Sequence, residues 1–124
     1  MLDDRTLERL REFLAGKTEI AAAYLFGSQA RNRDRRGSDV DLAVVATRKI
    51  GGMERVELET ALSNVAGRDV DLVVFGQAPA LLQHQVLKYG RRFYEADAAE
   101  RVRQEVCARA EYLDTRHLRR ELRA

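Results

Sequence analysis

The chain has almost no cysteine and no long apolar run, and both absences narrow the classes of protein to which it can belong. Cys107 is the single cysteine, so it cannot form an internal disulfide and is too isolated for a zinc site; we expect a small buried residue in a reducing compartment. The longest apolar run, Ile20–Phe26, is far below the roughly 20 residues of a membrane-spanning helix. The opening residues Met1–Asp4 lack the basic start and apolar stretch of a secretion signal. The sequence therefore predicts a soluble, cytoplasmic protein with no membrane partner.

A strong charge of one sign is also missing. The 22 basic side chains nearly balance the 20 acidic ones, and a net charge of +2 predicts no direct binding to nucleic acid. The arginines are nevertheless concentrated between two apolar runs, where a local positive field can steer a phosphate anion. A solvated loop is the alternative, and we favour it for the last two members of the group, which consists of Arg31, Arg33, Arg35 and Arg36.

The apolar pattern indicates alternating helices and strands in one domain, since 124 residues lie within the single-domain range of roughly 100 to 200. We assign residues 1–124 to a single domain, with a core at about 7–95. Helical spacing predicts helices from Asp3 or Asp4 to Gly16, from about Met53 to Gly67 and from Pro79 to Gly90. Short apolar runs predict strands at Ile20–Phe26, Val40–Val45 and Val70–Phe75, with a short edge strand at Arg92–Glu95.

The tail, at about 97–123, is polar with a thin apolar stripe, which predicts one long C-terminal helix. A helix from Ala98 to Arg123 would be about 39 Å long at 1.5 Å per residue, so part of it is expected to project from so small a domain. The same tail is a candidate partner-binding face, although packing on the chain's own helices is an equal alternative. The stripe consists of Val102, Val106, Ala110, Leu113, Leu118 and Leu122, with Tyr112 beside it.

Three aspartates stand at the starts of two predicted strands. Side chains alternate along a strand, so Asp39 and Asp41 point to the same side and lie about 6.6 Å apart along the chain. On the next strand Asp71 shares a face with Asp69, and pairing of the two strands would bring three carboxylates together. Like charges so close repel one another unless a cation lies among them. Hard oxygen ligands with open coordination positions predict Mg²⁺, or Mn²⁺ in its place, rather than zinc.

A turn that can hold a phosphate group precedes the first pair of aspartates. Gly27 and Ser28 end a strand, and the residues through Arg31 can begin a helix. Glycine allows the backbone to approach a phosphate closely, and the first amides of a helix donate to anions. Gly27, Ser28 and, less strongly, Arg31 are therefore candidate nucleotide-binding residues. A serine that only caps a helix is the alternative for Ser28.

The spacing of these groups resembles the signature of the DNA polymerase beta-like nucleotidyltransferase superfamily. Gly27 and Ser28 are followed by ten residues, 29–38, and then by Asp39-Val40-Asp41. Asp71, within Arg68–Val73, is similar to the third acid of that superfamily. Asp69 is the alternative for this role, but Asp71 lies deeper in the strand, so we treat Asp69 as a solubilising residue at the strand start. The chain is most similar to the minimal nucleotidyltransferases, the antitoxin partners of HEPN toxins, from about Leu7 to Tyr94. The resemblance implies an α+β fold, a small mixed sheet with helices mainly on one face.

The resemblance also implies a reaction. Asp39, Asp41 and Asp71 would be the catalytic residues and the ligands of two Mg²⁺ ions, with ATP as the substrate. AMP would be transferred to a tyrosine hydroxyl of a cognate HEPN toxin and would neutralise it. HEPN toxins carry an arginine and a later histidine separated by four to six residues, and neither His84 nor His117 has an arginine at that distance. The toxin is therefore expected to be a separate chain.

Two other functions are compatible with the sequence. A non-catalytic antitoxin that acts by binding would not need these five residues of the signature. A nucleotidyltransferase that modifies a small molecule, such as a drug, normally needs a second helical domain, for which the chain has little room unless two copies associate. A homo- or hetero-oligomer is compatible with the sequence. The neighbouring reading frame would separate these functions, because a HEPN toxin there favours either kind of antitoxin.

Overall fold

The computed structural model describes residues 2–27 and 40–116 and confirms the predicted order of elements there. Asp3 caps the first helix by accepting a hydrogen bond from the Thr6 amide at 2.8 Å, and Gly16 ends that helix. The third strand stops one residue early, because Phe75 begins a 3₁₀ turn that continues to Gln77. The elements are α1 (Asp4–Ala15), β1 (Ile20–Phe26), β2 (Val40–Ala46), α2 (Gly52–Ala66), β3 (Val70–Val74), α3 (Ala80–Tyr89), β4 (Arg91–Glu95) and α4 (Ala98–Asp114).

The four strands form one mixed sheet in the order β3-β2-β1-β4. β1 runs antiparallel to both β2 and β4, whereas β2 and β3 are parallel. The mixed sheet and the edge position of β4 confirm the prediction. As a result, the carboxyl end of β1 and the amino ends of β2 and β3 meet at one end of the sheet.

Helices cover both faces of the sheet, so the prediction that they lie mainly on one face is wrong. One face of β2 packs with α1 and α2, and the other packs with α3 and α4. The physical reason is that β1 and β2 are apolar on both sides, which requires cover on both sides. Small residues such as Ala22 and Ala43 leave room for the second layer. The first core includes Leu10, Leu14, Leu42, Val44 and Leu62, and the second includes Ala43, Val45, Phe75, Val86 and Ala108.

The face of α4 that packs on the sheet is not its apolar stripe. Glu105 and Ala108 are buried, whereas Val102, Val106 and Leu113 are 46%, 57% and 61% exposed. The described part of the stripe is therefore largely exposed, although Tyr112 beside it stacks on His84 of α3 with ring centroids 3.8 Å apart. Leu118 and Leu122 lie outside the described residues. The expectation of a buried cysteine is also wrong, because Cys107 is exposed on this helix.

A buried polar contact joins α4 to the sheet. The Tyr24 hydroxyl on β1 donates a hydrogen bond to the Glu105 carboxylate, and Arg101 pairs with the same carboxylate at 3.2 Å. Burial, and then the bond to Glu105, raise the pKa of the Tyr24 hydroxyl above its ordinary value, so the hydroxyl remains a donor. The spacing of apolar residues along α4 does not reveal this pairing, because it marks a different side of the helix from the one that carries Glu105.

Replacing Tyr24 with phenylalanine is expected to lower the free energy of unfolding by about 1–3 kcal/mol, because the buried Glu105 carboxylate loses a donor. Urea denaturation measures the change. Tyr94→Phe is the control, since Tyr94 is only half-buried and packs against the other core. Equal stability of the Tyr24→Phe variant and the unsubstituted protein would contradict the role assigned to this hydrogen bond.

The helices of residues 2–27 and 40–116 all fall short of the length and apolarity that crossing a membrane requires.

Candidate active site

Gly27 closes β1 in a conformation that favours glycine. Its φ of +69° lies in the left-handed region, which costs other residues roughly 1–2 kcal/mol. Space is a second constraint: a Cβ at this position would overlap Oδ2 of Asp41 and lie 3.1 Å from the carboxyl carbon of Asp41. The backbone of Gly27 and the carboxylate of Asp41 are therefore packed directly against each other.

Asp41 and Asp71 lie side by side on neighbouring strands. The register of the sheet places Phe26 opposite Asp41 and Asp41 opposite Asp71. Paired strands are about 4.8 Å apart, and residues in register point to the same face. Asp41 is half-buried and Asp71 is exposed. The expected pairing of the two strands, with both carboxylates on one face, is confirmed.

Three of the predicted site residues, Ser28, Arg31 and Asp39, lie outside the described residues. Their roles stay predictions. Among residues 2–27 and 40–116 there is no group of three or more His, Cys, Asp or Glu that could hold a metal ion. The described part of the site thus supplies two carboxylates, Asp41 and Asp71, and the turn glycine.

Asp69 does not belong to β3. It precedes the first residue of the strand and is exposed. Its backbone carbonyl accepts a hydrogen bond from the Val40 amide at 2.8 Å, the contact with which the β2–β3 pairing begins. This position fits the expectation of a polar residue at the strand start.

The donor set fits a hard divalent cation. Two carboxylates in register supply oxygen ligands, and their mutual repulsion favours a cation between them. The exposure of Asp71 leaves the site open to a substrate phosphate. Because the position of Gly27 allows close backbone approach, a phosphate group can reach the same place. The arrangement suits phosphoryl transfer better than general acid–base catalysis by carboxylates alone.

Two polar residues of α2, to which the sequence assigned no role, contact the backbone of β3 on the edge that faces away from β2. Ser63 accepts a hydrogen bond from the Val70 amide at 2.9 Å, and Glu59 accepts one from the Leu72 amide at 2.8 Å. The spacing of Glu59 and Ser63 places them on one side of the helix, which was visible in the sequence. Their contact with β3 was not, because it depends on how α2 and β3 pack.

A second polar cleft lies at the opposite end of the sheet. Its volume is about 370 Å³, and Thr47, Lys49 and Gln104 are among its lining residues. Glu100 at its edge accepts hydrogen bonds from Arg103 and Gln104, which lower the pKa of Glu100 to about 2. An acid satisfied in this way is a partner in an ion pair rather than a proton acceptor. The two carboxylates in register, Asp41 and Asp71, therefore lie at the Gly27 end of the sheet and not in this cleft.

Comparison with known proteins agrees with this geometry. The family model described as "Polymerase beta, Nucleotidyltransferase" matches residues 8–99. The protein adenylyltransferase MntA of Shewanella oneidensis is 37% identical over 76 residues, which are 61% of this chain and 55% of that protein. The chain thus spans about half the length of this relative.

Solved structures show the same fold. A toxin–antitoxin complex with AMP-PNP contains a chain with a TM-score of 0.79 and 24% identity, and the match covers 99% of this chain and 100% of the other. A complex of a tri-AMPylated Shewanella oneidensis HEPN toxin with an MNT antitoxin gives a TM-score of 0.67 at 21% identity, covering 96% and 99%. At these identities the likeness concerns the fold.

Proposed function

Because the chain belongs to the polymerase beta nucleotidyltransferase family, we propose that it transfers AMP from ATP to a tyrosine hydroxyl of a cognate HEPN toxin and so acts as an antitoxin. The observation that carries the proposal is the register of Asp41 with Asp71 beside the left-handed Gly27. A relative that is named a protein adenylyltransferase and a related complex that contains a tri-AMPylated HEPN toxin support the choice of reaction and acceptor.

In the proposed reaction, the tyrosine oxygen attacks the α-phosphorus of ATP and the bond to pyrophosphate breaks. The products are a tyrosine–AMP phosphodiester and pyrophosphate, and the hydroxyl proton passes to Asp71 or to solvent. The amides of Gly27 and Ser28, with Arg31, would hold the departing phosphates.

Asp39, Asp41 and Asp71 would hold two Mg²⁺ ions, for which Mn²⁺ can substitute. Bound magnesium would neutralise charge on the reacting phosphates and lower the pKa of the attacking hydroxyl. The carboxylates themselves would fix the orientation of this site, because Asp41 and Asp71 stand on paired strands. The pairing with β2 limits independent movement of Asp71.

A protein acceptor fits this chain better than a drug-like small molecule. Three large apolar residues of the predicted stripe are exposed on α4, and we call these three the α4 stripe: Val102, Val106 and Leu113. Apolar side chains aligned on one side of a helix are typical of a surface that a partner protein covers. The α4 stripe also fits an antitoxin that acts by binding alone, so the decisive experiment must detect transfer.

The test uses this chain, ATP, Mg²⁺ and the HEPN-domain protein that the proposal expects to find encoded in the neighbouring reading frame. Intact-mass measurement and peptide mapping are expected to show one or more AMP units on a toxin tyrosine, together with loss of toxin activity. Inhibition of the toxin with no change in its mass would contradict the proposal and would favour the binding-only antitoxin.

Replacing both Val106 and Leu113 with glutamate is expected to weaken binding of the toxin by at least about tenfold, because charged side chains would have to be buried at the interface. The melting temperature should change little, since both side chains are more than half exposed in the free chain. Isothermal titration with the toxin measures the affinity. Cys107→Ser, an exposed change on the same helix, is the control. Unchanged affinity of the double variant would exclude the α4 stripe from the interface.

A further inference from the structure

The outer edge of β3 has no strand partner in the described sheet, and α2 occupies its place. β3 is the terminal strand, paired on one side with β2. On the other side, the Val70 amide donates to Oγ of Ser63 at 2.9 Å, and the Leu72 amide donates to Oε2 of Glu59 at 2.8 Å. Two side chains of one helix thus take over the hydrogen bonds that a fifth strand would make.

The two contacts bracket Asp71 in the sequence of β3. Successive residues of a strand direct their amides to opposite edges, so the amides of Val70 and Leu72 face α2 while that of Asp71 faces β2. The backbone on either side of Asp71 is therefore anchored to a helix, and Asp71 itself is anchored to the strand that carries Asp41. The direction of the Asp71 carboxylate depends on both anchors.

The anchoring side chains are themselves held in place. Arg55 donates to Oε2 of Glu59 at 3.2 Å and reaches the Leu72 carbonyl at 3.5 Å. The Ser63 hydroxyl donates to the backbone carbonyl of Glu59 at 2.9 Å, so its oxygen is oriented to accept from Val70. Glu59 is half-buried, and its side chain is 29% exposed, which limits competition from water for the Leu72 amide.

From these contacts we propose that Glu59 and Ser63 are positioning residues for the nucleotidyl-transfer site, fixing β3 so that the Asp71 carboxylate stands beside that of Asp41. The inference rests on the proposed function, because it assigns Asp71 a place in that site. Neither residue touches the substrate. Replacing a group that orients a metal-binding or catalytic side chain without touching the substrate typically lowers metal affinity or activity by about tenfold to a hundredfold.

The experiment measures the affinity for Mn²⁺, in the presence of AMP-PNP, by electron paramagnetic resonance at a temperature where every variant is folded. Glu59→Ala is expected to weaken this affinity by about tenfold to a hundredfold. Glu59→Gln should remain within about threefold of the unsubstituted protein, since its side-chain oxygen can still accept from Leu72. Ser63→Ala and Ser63→Thr form a second pair with the same logic. Glu57→Ala is the matched control, an exposed glutamate on the same helix.

Unchanged Mn²⁺ affinity in Glu59→Ala, or an equal loss in Glu59→Gln, would overturn the inference, because the effect would then be absent or due to charge alone. Asp71→Asn in the same series separates this failure from failure of the proposed function. If Asp71→Asn weakens Mn²⁺ binding and Glu59→Ala does not, only the positioning role is wrong. If Asp71→Asn also leaves the affinity unchanged, both the metal site at Asp71 and the positioning role are wrong.

Discussion

Asp71→Asn is expected to slow AMP transfer on the order of a hundredfold to a thousandfold while the protein stays folded. The substitution keeps the size of the side chain but removes the negative charge that stands in register with Asp41. Losses of this size are typical when one electrostatic contact to the reacting group is removed. The fold should tolerate the change because Asp71 is exposed. Transfer from labelled ATP to the toxin gives the rate, and urea denaturation gives the stability.

The neighbouring acid provides the control for this prediction. Asp69 is exposed, precedes β3 and contributes its backbone carbonyl to the sheet, so Asp69→Asn should leave the rate nearly unchanged. The pair of variants also decides which of the two acids belongs to the site. A larger loss of rate in Asp69→Asn than in Asp71→Asn would contradict the assignment.

Gly27→Ala is expected to damage both stability and transfer. The left-handed φ of +69° should cost about 1–2 kcal/mol in the free energy of unfolding, and the added methyl group would overlap the Asp41 carboxylate. Asp41 would have to turn away from the position in which it stands beside Asp71. We therefore expect transfer to fall by at least about a hundredfold, because small displacements of positioned groups have effects of this size.

Gly67 separates the two effects of this substitution. It ends α2 with a φ of +71°, but a Cβ there would have no heavy atom within 4 Å. Gly67→Ala should therefore lose a similar free energy of unfolding and keep its transfer rate. If both variants lost transfer equally, backbone strain rather than contact with Asp41 would explain the role of Gly27.

The strands and the ends of α1 could be predicted from the sequence because their signals are local. Ile20–Phe26 is a continuous apolar run. Asp3 is a common residue type at the start of a helix, and Gly16 is a common one at its end. The placement of helices on both faces was not predicted. This placement follows from β1 and β2, which are apolar on both sides and need helices on both faces of the sheet. The family resemblance had instead implied helices mainly on one face.

The long C-terminal helix shows why periodicity can indicate the wrong face. Its apolar stripe left two alternatives open, packing on the chain itself or binding a partner, and in the structure the Tyr24 hydroxyl and the Glu105 carboxylate pair inside the protein while Val106 stays exposed. Only the three-dimensional partner of Glu105 explains its burial. Under the proposed function, the α4 stripe is the surface expected to contact the toxin.

The part of the candidate site that depends on local sequence patterns could be predicted, whereas the part that depends on packing between elements could not. Alternation along the strands predicted the shared face of Asp41 and Asp71, and their pairing is confirmed. The roles of Glu59 and Ser63 required the packing of α2 on β3, which spacing within α2 does not specify. The carboxylates were thus accessible to sequence reasoning, whereas the groups that hold them in place were not.

The most direct test is transfer of label from ATP labelled at the α-phosphate to the cognate HEPN toxin, with Mg²⁺, by the unsubstituted chain and by an Asp39→Asn, Asp41→Asn double variant. The account predicts a labelled toxin with the unsubstituted chain and no label above background with the double variant, although both bind the toxin. Undiminished labelling by the double variant would contradict it.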